Sequence, residues 1–285
     1  MYRESNARLL DTFKNAFAPT LTSKTNASDD NLPAPRFIDI GCGTGNFTLN
    51  YLLPRCSCQC LELVVVDNSP AMLEYARIHH SHEKIRYEHL DIVEGDVDRF
   101  VTEHGLFARL FSFNSMHWIK DKARAFRNME KLMHREQSAL SYSRSLSQYS
   151  RSLWLWQVHY DGKKHAEVLL ERVPSTACCM DITSLRAQLW RVLNETNLTP
   201  LACEVLRLPV VEIPNLDDAT DRIVSYNPIY RLIKEKDELI QSTRKILAER
   251  AQGITEGRVR NYRFTFVIHA FKPTEASLST DLQTE

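Results

Sequence analysis

The chain has 285 residues, of which 43% are hydrophobic and 25% charged, the balance of an ordinary globular protein, which excludes a disordered or fibrous chain. Lys plus Arg and Asp plus Glu each number 36, so no chain-wide basic field exists to draw in nucleic acid or anionic lipid. No apolar run approaches the ~20 residues of a membrane span, and the N-terminus carries scattered charges with no apolar signal core; the expectation is a cytoplasmic protein with no membrane span and no nucleic-acid partner.

In chain order, residues 1–17 read as a helix, with Leu9, Leu10, Phe13 and Phe17 at helical spacing. Residues 20–35 are polar, end in two prolines and read as a flexible connector. From Arg36 the rhythm is regular. RFIDIG is a buried strand, FTLNYLL a helix, and LELVVVD a strand of β-branched residues stopping at an acid. Ser69-Pro70 supplies an N-cap with Pro at the first helical position and opens SPAMLEYARIHH. IRYEHLD is a strand, DVDRFVTEHG a short helix, ARLFSFNS a strand and DKARAFRNMEKLMH a helix. Strand and helix alternate four times, which implies βαβ units, a parallel sheet and helices on both faces. Beyond His134 the pattern loosens into a Ser/Arg-rich stretch, and the fifth strand is either SALSYS or SLWLWQVHY. SLRAQLWRVLNET is a helix, ACEVLRLPVVEI strand-like, Leu216 to about Arg250 mostly helical with a break at Asn227-Pro228, and YRFTFVIHAFKP a final strand.

Seven cysteines are an odd number for a secreted disulfide framework. Cys56, Cys58 and Cys60 alternate and would share one face of a strand. With no His or second Cys pair at zinc-ligand spacing, they read as reduced structural thiols, and no metal is expected.

The chemistry-bearing stretch is FIDIGCGTG, with glycines at Gly41, Gly43 and Gly45 between a strand and a helix. Such a loop lets backbone approach a ligand where a Cβ would clash. A dinucleotide fingerprint places its third glycine at position 46, which is Asn46 here, so pyrophosphate is disfavoured. Asp39, two residues before the first glycine, suits a cationic ligand better than a phosphate. Asp67 ends the second strand, where a carboxylate accepts from ribose hydroxyls. Asp91 ends the third, where an acid can accept from an adenine amino group. Three acids on successive strand ends describe a ribosyl-adenine ligand bearing a cation and no phosphate, and S-adenosylmethionine fits that description.

FIDIGCGTGNFT, VVVDNSPAMLEYAR, the HLD strand end and LFSFNSMHWIKDKARAFRNMEKLM resemble the ordered motifs of class I S-adenosylmethionine-dependent methyltransferases. SFNSMHWI, the Tyr2/Asn6 pair, SYNPIYRLI and the closing YRFTFVIHAFKP are similar, more narrowly, to the arthropod juvenile hormone acid O-methyltransferase family. The resemblance covers residues 2–133 well and 183–273 loosely. It implies a Rossmann-like, doubly wound, mostly parallel seven-stranded α/β sheet with helices on both faces and an added helical substrate lid. It places Asp39, Gly41, Gly43 and Gly45 against the methionine part of the cofactor, Asp67 at the ribose and Asp91 with Ile92 at the adenine, and it counts Asn68 among the cofactor-binding residues. Ser112 and Phe113 close the cofactor site. His117 and Trp118 match an HW dipeptide whose Trp lines the carboxylate end of the substrate pocket.

The implied organisation is an N-terminal lid helix (1–19), a connector (20–35), a cofactor half (36–133), a second half with lid helices and the last strands (134–273), and a disordered tail (274–285). Lid candidates are Phe13, Phe17, Trp190, Leu193, Tyr226, Ile229 and Tyr230. Leu9 stands where the family has a polar Gln. The expected partner is a small apolar carboxylic acid, and the expected state a monomer or homodimer. A carboxylate acceptor is ionised at neutral pH and needs no general base, which agrees with the lack of a triad or metal cluster in the sequence. Another small-molecule acceptor, or a catalytically weak methyltransferase-like binding protein, are the alternatives.

Overall fold

Short apolar runs that end at a glycine (RFIDI) or an acid (ELVVVD) make the first two strands. In the computed structural model the strands are β1 (Arg36–Ile40), β2 (Glu62–Asp67), β3 (Ile85–His89), β4 (Phe107–Phe113), β5 (Met133–Arg144), β6 (Thr199–Pro209) and β7 (Tyr262–Phe271). The structure describes residues 7–8, 10–12, 35–56, 60–144, 181–209, 215–225, 236–256 and 262–274. The sheet order is β3-β2-β1-β4-β5-β7-β6. β1 pairs in parallel with β2 and β4, β2 with β3, and β4 with β5. Leu63 to Val66 are wholly buried, as expected of an interior parallel strand covered on both faces. At the register pair Arg36↔Glu62, the guanidinium donates to the carboxylate from Nε (2.9 Å) and Nη2 (2.6 Å), pinning the strands at their entry.

The helices start where the sequence supplies caps. α1 (Pro70–His79) has Ser69 Oγ accepting from the Met72 N–H, with Pro70 at the first position. α2 (Val97–His104) is capped by Asp96, which accepts from the Arg99 N–H at 3.0 Å, and stops at Gly105. α3 (Lys122–Leu132) is capped by Asp121, accepting from the Arg124 N–H at 2.9 Å. Further on come α4 (Ile182–Asn194), α5 (Leu216–Ser225) and α6 (Lys236–Thr255).

FTLNYLL is helical but wound as a π-helix over Thr48–Leu52 and a 3-10 turn over Leu53–Arg55. Pro54 cannot donate back into an α-ladder, so the last turn changes pitch. The helix expected to reach His134 ends at Leu132, and Met133 already begins β5. β5 contains SALSYS, in register with Arg109 to Phe113, and so resolves the open choice of fifth strand; SLWLWQVHY lies outside the described residues. Cys56 closes the 3-10 turn and Cys60 precedes β2, so these two do not line one strand as expected; Cys58 lies outside the described residues.

The chain divides into two compact units: 1–143 with 189–204 and 267–285, and 144–188 with 205–266. The core of the first gathers Leu10, Phe37, Leu52, Leu63, Leu73, Phe111, Phe113 and Val267. Phe37 and Phe111 meet edge to face at 6.1 Å. In the second, α5 and α6 share Ala219 and Leu247, and Arg244 pairs with Asp217 at 2.8 Å.

Candidate functional site

The chain winds from β1 outward to β3 and then returns to β4 on the other side of β1, so the strand order reverses between β1 and β4. Open α/β sheets bind ligands at that reversal, outside the carboxyl ends of the strands. The glycine loop leaves β1 at this point. Its backbone is fastened by the Gly41 and Cys42 N–H groups, both donating to the Val66 carbonyl (2.8 and 3.2 Å), and by the Gly43 N–H, which donates to Asp67 Oδ2 at 2.8 Å. The three glycines all have positive φ, but their surroundings differ. A Cβ on Gly41 would lie 2.2 Å from Ser115 Cβ, and one on Gly45 would lie 2.5 Å from Tyr87 Oη. Gly43 has nothing within 4 Å of its Cβ position. Two of the glycines thus serve close packing, and the middle one faces open space.

Around that space lie the acids. Asp67, the last residue of β2, accepts from the Gly43 N–H through Oδ2 and from the Ser69 N–H (2.9 Å) through Oδ1. Each oxygen keeps one lone pair for a ligand hydroxyl. Asp91 lies two residues past β3. Its Oδ1 accepts from the Val93 and Glu94 N–H groups (2.8 and 3.0 Å), and its Oδ2 accepts from Asn68 Nδ2 at 3.3 Å. Burial pushes the Asp91 carboxyl up, but these hydrogen bonds and nearby His89 outweigh it and hold it below its usual range. Asn68 thereby bridges the ends of β2 and β3. Ile92 is buried, and its carbonyl accepts from Asn128 Nδ2 at 2.8 Å.

Asp39 lies within β1, 2% exposed, with Thr48 Oγ1 donating to its Oδ2 at 2.6 Å. Burial pushes its carboxyl up to about 7; the Thr48 hydrogen bond opposes this and the Asp67 charge adds to it. Burial likewise raises the Cys42 thiol, with Asp39 and Asp67 adding, so Cys42 is a neutral thiol rather than a nucleophile.

On the β4 side, Ser112 and Ser115 hydroxyls both donate to the Ile40 carbonyl at 3.1 Å and contact each other at 2.5 Å. Phe113 is buried and tilts against Phe47 at 5.0 Å. Asn114 takes a left-handed φ of 55° and turns the chain into a 3-10 segment, Met116–Trp118. His117 is buried, Trp118 is 44% exposed, and their rings lie 4.8 Å apart.

The structure therefore brings Gly41, Gly43, Asp67, Asn68 and Asp91 into one hydrogen-bonded rim, with Ser112 joined to it through Ile40. His117 and Trp118 hang from the adjoining turn. Leu9, Phe13, Phe17, Tyr226, Ile229 and Tyr230 lie outside the described residues. Of the remaining lid candidates, Leu193 is core and Trp190 is exposed. Sequence reasoning missed Thr48, Tyr87, Asn114 and Ser115. Thr48 and Tyr87 carry no motif and reach the site only through folding, whereas Ser115 and Asn114 sat inside a motif read for its His and Trp.

Residues 37–136 match the methyltransferase domain family. A stretch of 107 residues is 37% identical to the juvenile hormone acid O-methyltransferase of Bombyx mori, covering 37% of this chain and 36% of that protein. The matched part thus spans about a third of the length of this curated relative. Among solved structures, a candidate sarcosine dimethylglycine methyltransferase from Galdieria sulphuraria superposes with a TM-score of 0.54 at 9% identity, over 95% of this chain and 86% of that one. A Haemonchus contortus phosphoethanolamine N-methyltransferase 2, in complex with phosphomonomethylethanolamine and S-adenosylhomocysteine, gives 0.50 at 16% identity over 94% and 53%. At these identities the structural likeness is one of fold.

Proposed function

Residues 37–136 form a methyltransferase domain, and from that premise we propose that the chain transfers a methyl group from S-adenosylmethionine to the carboxylate of a small apolar acid. The observation that carries the cofactor half of this reading is the rim itself. It has an open flank at Gly43, two carboxylate lone pairs at Asp67 and a buried carboxyl at Asp39. Those features fit a nucleoside carrying a cation. Asp67 would hold the ribose hydroxyls, Asn68, Asp91 and Ile92 the adenine, and Asp39 with Gly41, Gly43 and Gly45 the methionine end. Ser112 and Phe113 would close the site from β4. The acceptor half rests on the similarity to the Bombyx mori enzyme, whose name specifies an acid.

When bound, S-adenosylmethionine supplies an electrophilic methyl on a sulfonium. The protein's own residues then have three tasks. Asp67 and the glycine loop fix the donor in one orientation, and alignment of two reactants can contribute ~7–11 kcal/mol. The turn carrying His117 and Trp118 lines the acceptor side and keeps water from the nucleophile. No residue has to take a proton, because a carboxylic acid of pKa near ~4 is ionised at neutral pH.

The test is a panel of carboxylic acids, phenols and amines incubated with methyl-labelled cofactor, with cofactor affinity followed by calorimetry. Methyl ester should form on apolar acids, at a rate nearly flat between about pH 6 and 8. Asp67→Ala should weaken cofactor binding by ~1.5–3 kcal/mol. Transfer to phenols or amines alone would overturn the acceptor, and a folded protein that binds no cofactor would overturn the whole reading.

A further inference from the structure

Cys56 and Cys60 form a pair that the proposed reaction leaves unused. Both are free thiols, Cys60 buried at 3% exposure and Cys56 half-buried. They belong to one cluster with Leu10, Phe37 and Leu52. Cys56 closes the 3-10 turn Leu53–Arg55, its N–H donating to the Leu52 and Leu53 carbonyls at 3.1 Å each, and Cys60 stands two residues before β2. The two side chains are hydrogen-bonded to each other, so their sulfurs face one another.

The two thiols are not equivalent. A thiol buried among apolar groups is ordinarily raised and inert. Cys56 follows that rule: the hydrogen bond to Cys60 raises it most, and burial adds. Cys42 follows it too, raised by burial and by the Asp39 and Asp67 charges. Cys60 departs from it. The hydrogen bond from Cys56 lowers it, outweighing burial, and the Lys84 charge adds. Lys84 is fixed beside it, with Nζ donating to the Cys60 carbonyl at 3.5 Å. Arg109 is a second cation near the pair: burial lowers its guanidinium, and both thiols oppose that. Cys60 thus shares its neighbour's proton next to positive charge, which is the setting that gives a thiol thiolate character.

The position joins three parts of the first unit. Thr48, at the head of the segment that Cys56 closes, holds Asp39 of β1 at 2.6 Å. Arg55, beside Cys56, pairs with Asp11 at 2.8 Å. Cys60 leads into β2.

We propose that Cys56 and Cys60 are a reversible redox pair that closes to a disulfide on exposure to peroxide, with Cys60 attacking and Cys56 resolving. The Cys60 thiolate attacks one peroxide oxygen and the O–O bond breaks. Cys60 becomes a sulfenic acid, and the released hydroxide takes up the proton lost from the thiol to form water. The Cys56 sulfur then attacks the Cys60 sulfur. The S–O bond breaks, and the hydroxyl leaves with the Cys56 proton as a second water. Two thiols are oxidised to one disulfide and one peroxide is reduced to two waters. Hydrogen peroxide is close to water in size, and Cys56 keeps part of its surface exposed.

The test maps the thiols of the full-length chain. No cofactor or methyl acceptor enters it, so it stands or falls apart from the proposed reaction. Reduced protein is exposed to hydrogen peroxide, unfolded in denaturant containing iodoacetamide and digested with trypsin. Cleavage after Arg55 and Arg77 releases one peptide, residues 56–77, that holds Cys56, Cys58 and Cys60. That peptide should carry a single carbamidomethyl group, on Cys58, and be lighter by two hydrogens at the other two cysteines. Dithiothreitol before alkylation should restore labelling of all three. Cys56→Ser should leave Cys60 as a sulfenic acid that dimedone captures. Cys60→Ser and Cys60→Ala should both slow oxidation of Cys56 at least about ten-fold. Lys84→Met should slow disulfide formation several-fold, a change that thiols serving only to fill the core would not register. Full labelling of all three cysteines after peroxide overturns the pair, as does a bond from Cys56 or Cys60 to Cys58 or Cys42. Oxidation of Cys56 at an unchanged rate in both Cys60 variants overturns the assignment of Cys60 as the attacking thiol.

Discussion

Asp39 is the buried acid behind the glycine loop, and its charge, with that of Asp67, helps raise the Cys42 thiol. A carboxyl at 2% exposure with one hydroxyl donor is costly to ionise, which is why it is pushed up to about 7. The consequence for stability has a definite sign. Between the ordinary aspartate range and about 7, the folded state holds a proton that the unfolded chain has released, so stability falls as pH rises through that window and then levels off. Asp39→Asn keeps an acceptor for Thr48 and removes the ionisation. Its melting temperature should match wild type near pH 4 and exceed it increasingly up to pH 8, by up to a few kcal/mol of stability. Its affinity for a cationic cofactor should drop at pH 8, where the wild-type carboxylate is available. A constant difference in melting temperature across the pH range would show that Asp39 is ionised throughout.

At the scale of elements, the glycine loop and its three neighbours form one device. β2 fastens it from one side through Val66 and Asp67, and the turn after β4 abuts it through Ser115. From the third side Tyr87 of β3 reaches Gly45, while its hydroxyl donates to the His80 carbonyl at the end of α1 (2.8 Å). Alanine substitutions should therefore separate packing from binding. Gly41→Ala drives a Cβ into Ser115 and should unfold the loop or lower stability well beyond the ~1–2 kcal/mol cost of a left-handed alanine. Gly43→Ala meets no atom and should cost only that backbone term. It should weaken S-adenosylhomocysteine binding about ten-fold or more, because its methyl enters the open flank. Chemical denaturation and calorimetry on both variants check this, and full affinity in Gly43→Ala would move the ligand away from that flank.

For the whole molecule, the sheet is the scaffold and the rim a place left open to a ligand. Open space beside Gly43 and unspent lone pairs on Asp67 leave interactions that a ligand can complete. A ligand that binds the folded state alone should stabilise it by ~2.7 kcal/mol at a hundred times its dissociation constant. S-adenosylhomocysteine should thus raise the melting temperature by several degrees, and Asp67→Ala should abolish most of the rise. ATP, whose phosphates would bring negative charge beside the Asp67 and Asp39 carboxyls, should give little. An equal shift with ATP would mean that adenosine alone is recognised.

The order of strands and helices as far as α3, the cap at Ser69 and the glycine–acid spacing were legible in the amino-acid sequence. Each depends on residues a few positions apart, where backbone geometry leaves little choice. Three matters were decided by tertiary contact. Parallel pairing with β4 made a strand of the Ser-rich SALSYS, whose own composition is weak for that state. The same folding split the three glycines into two that pack and one that faces open space, although all three look alike in sequence. It also buried Lys122 and joined Thr48 to Asp39, because local pattern records which residues are polar and only the packed chain determines which of them lose their water.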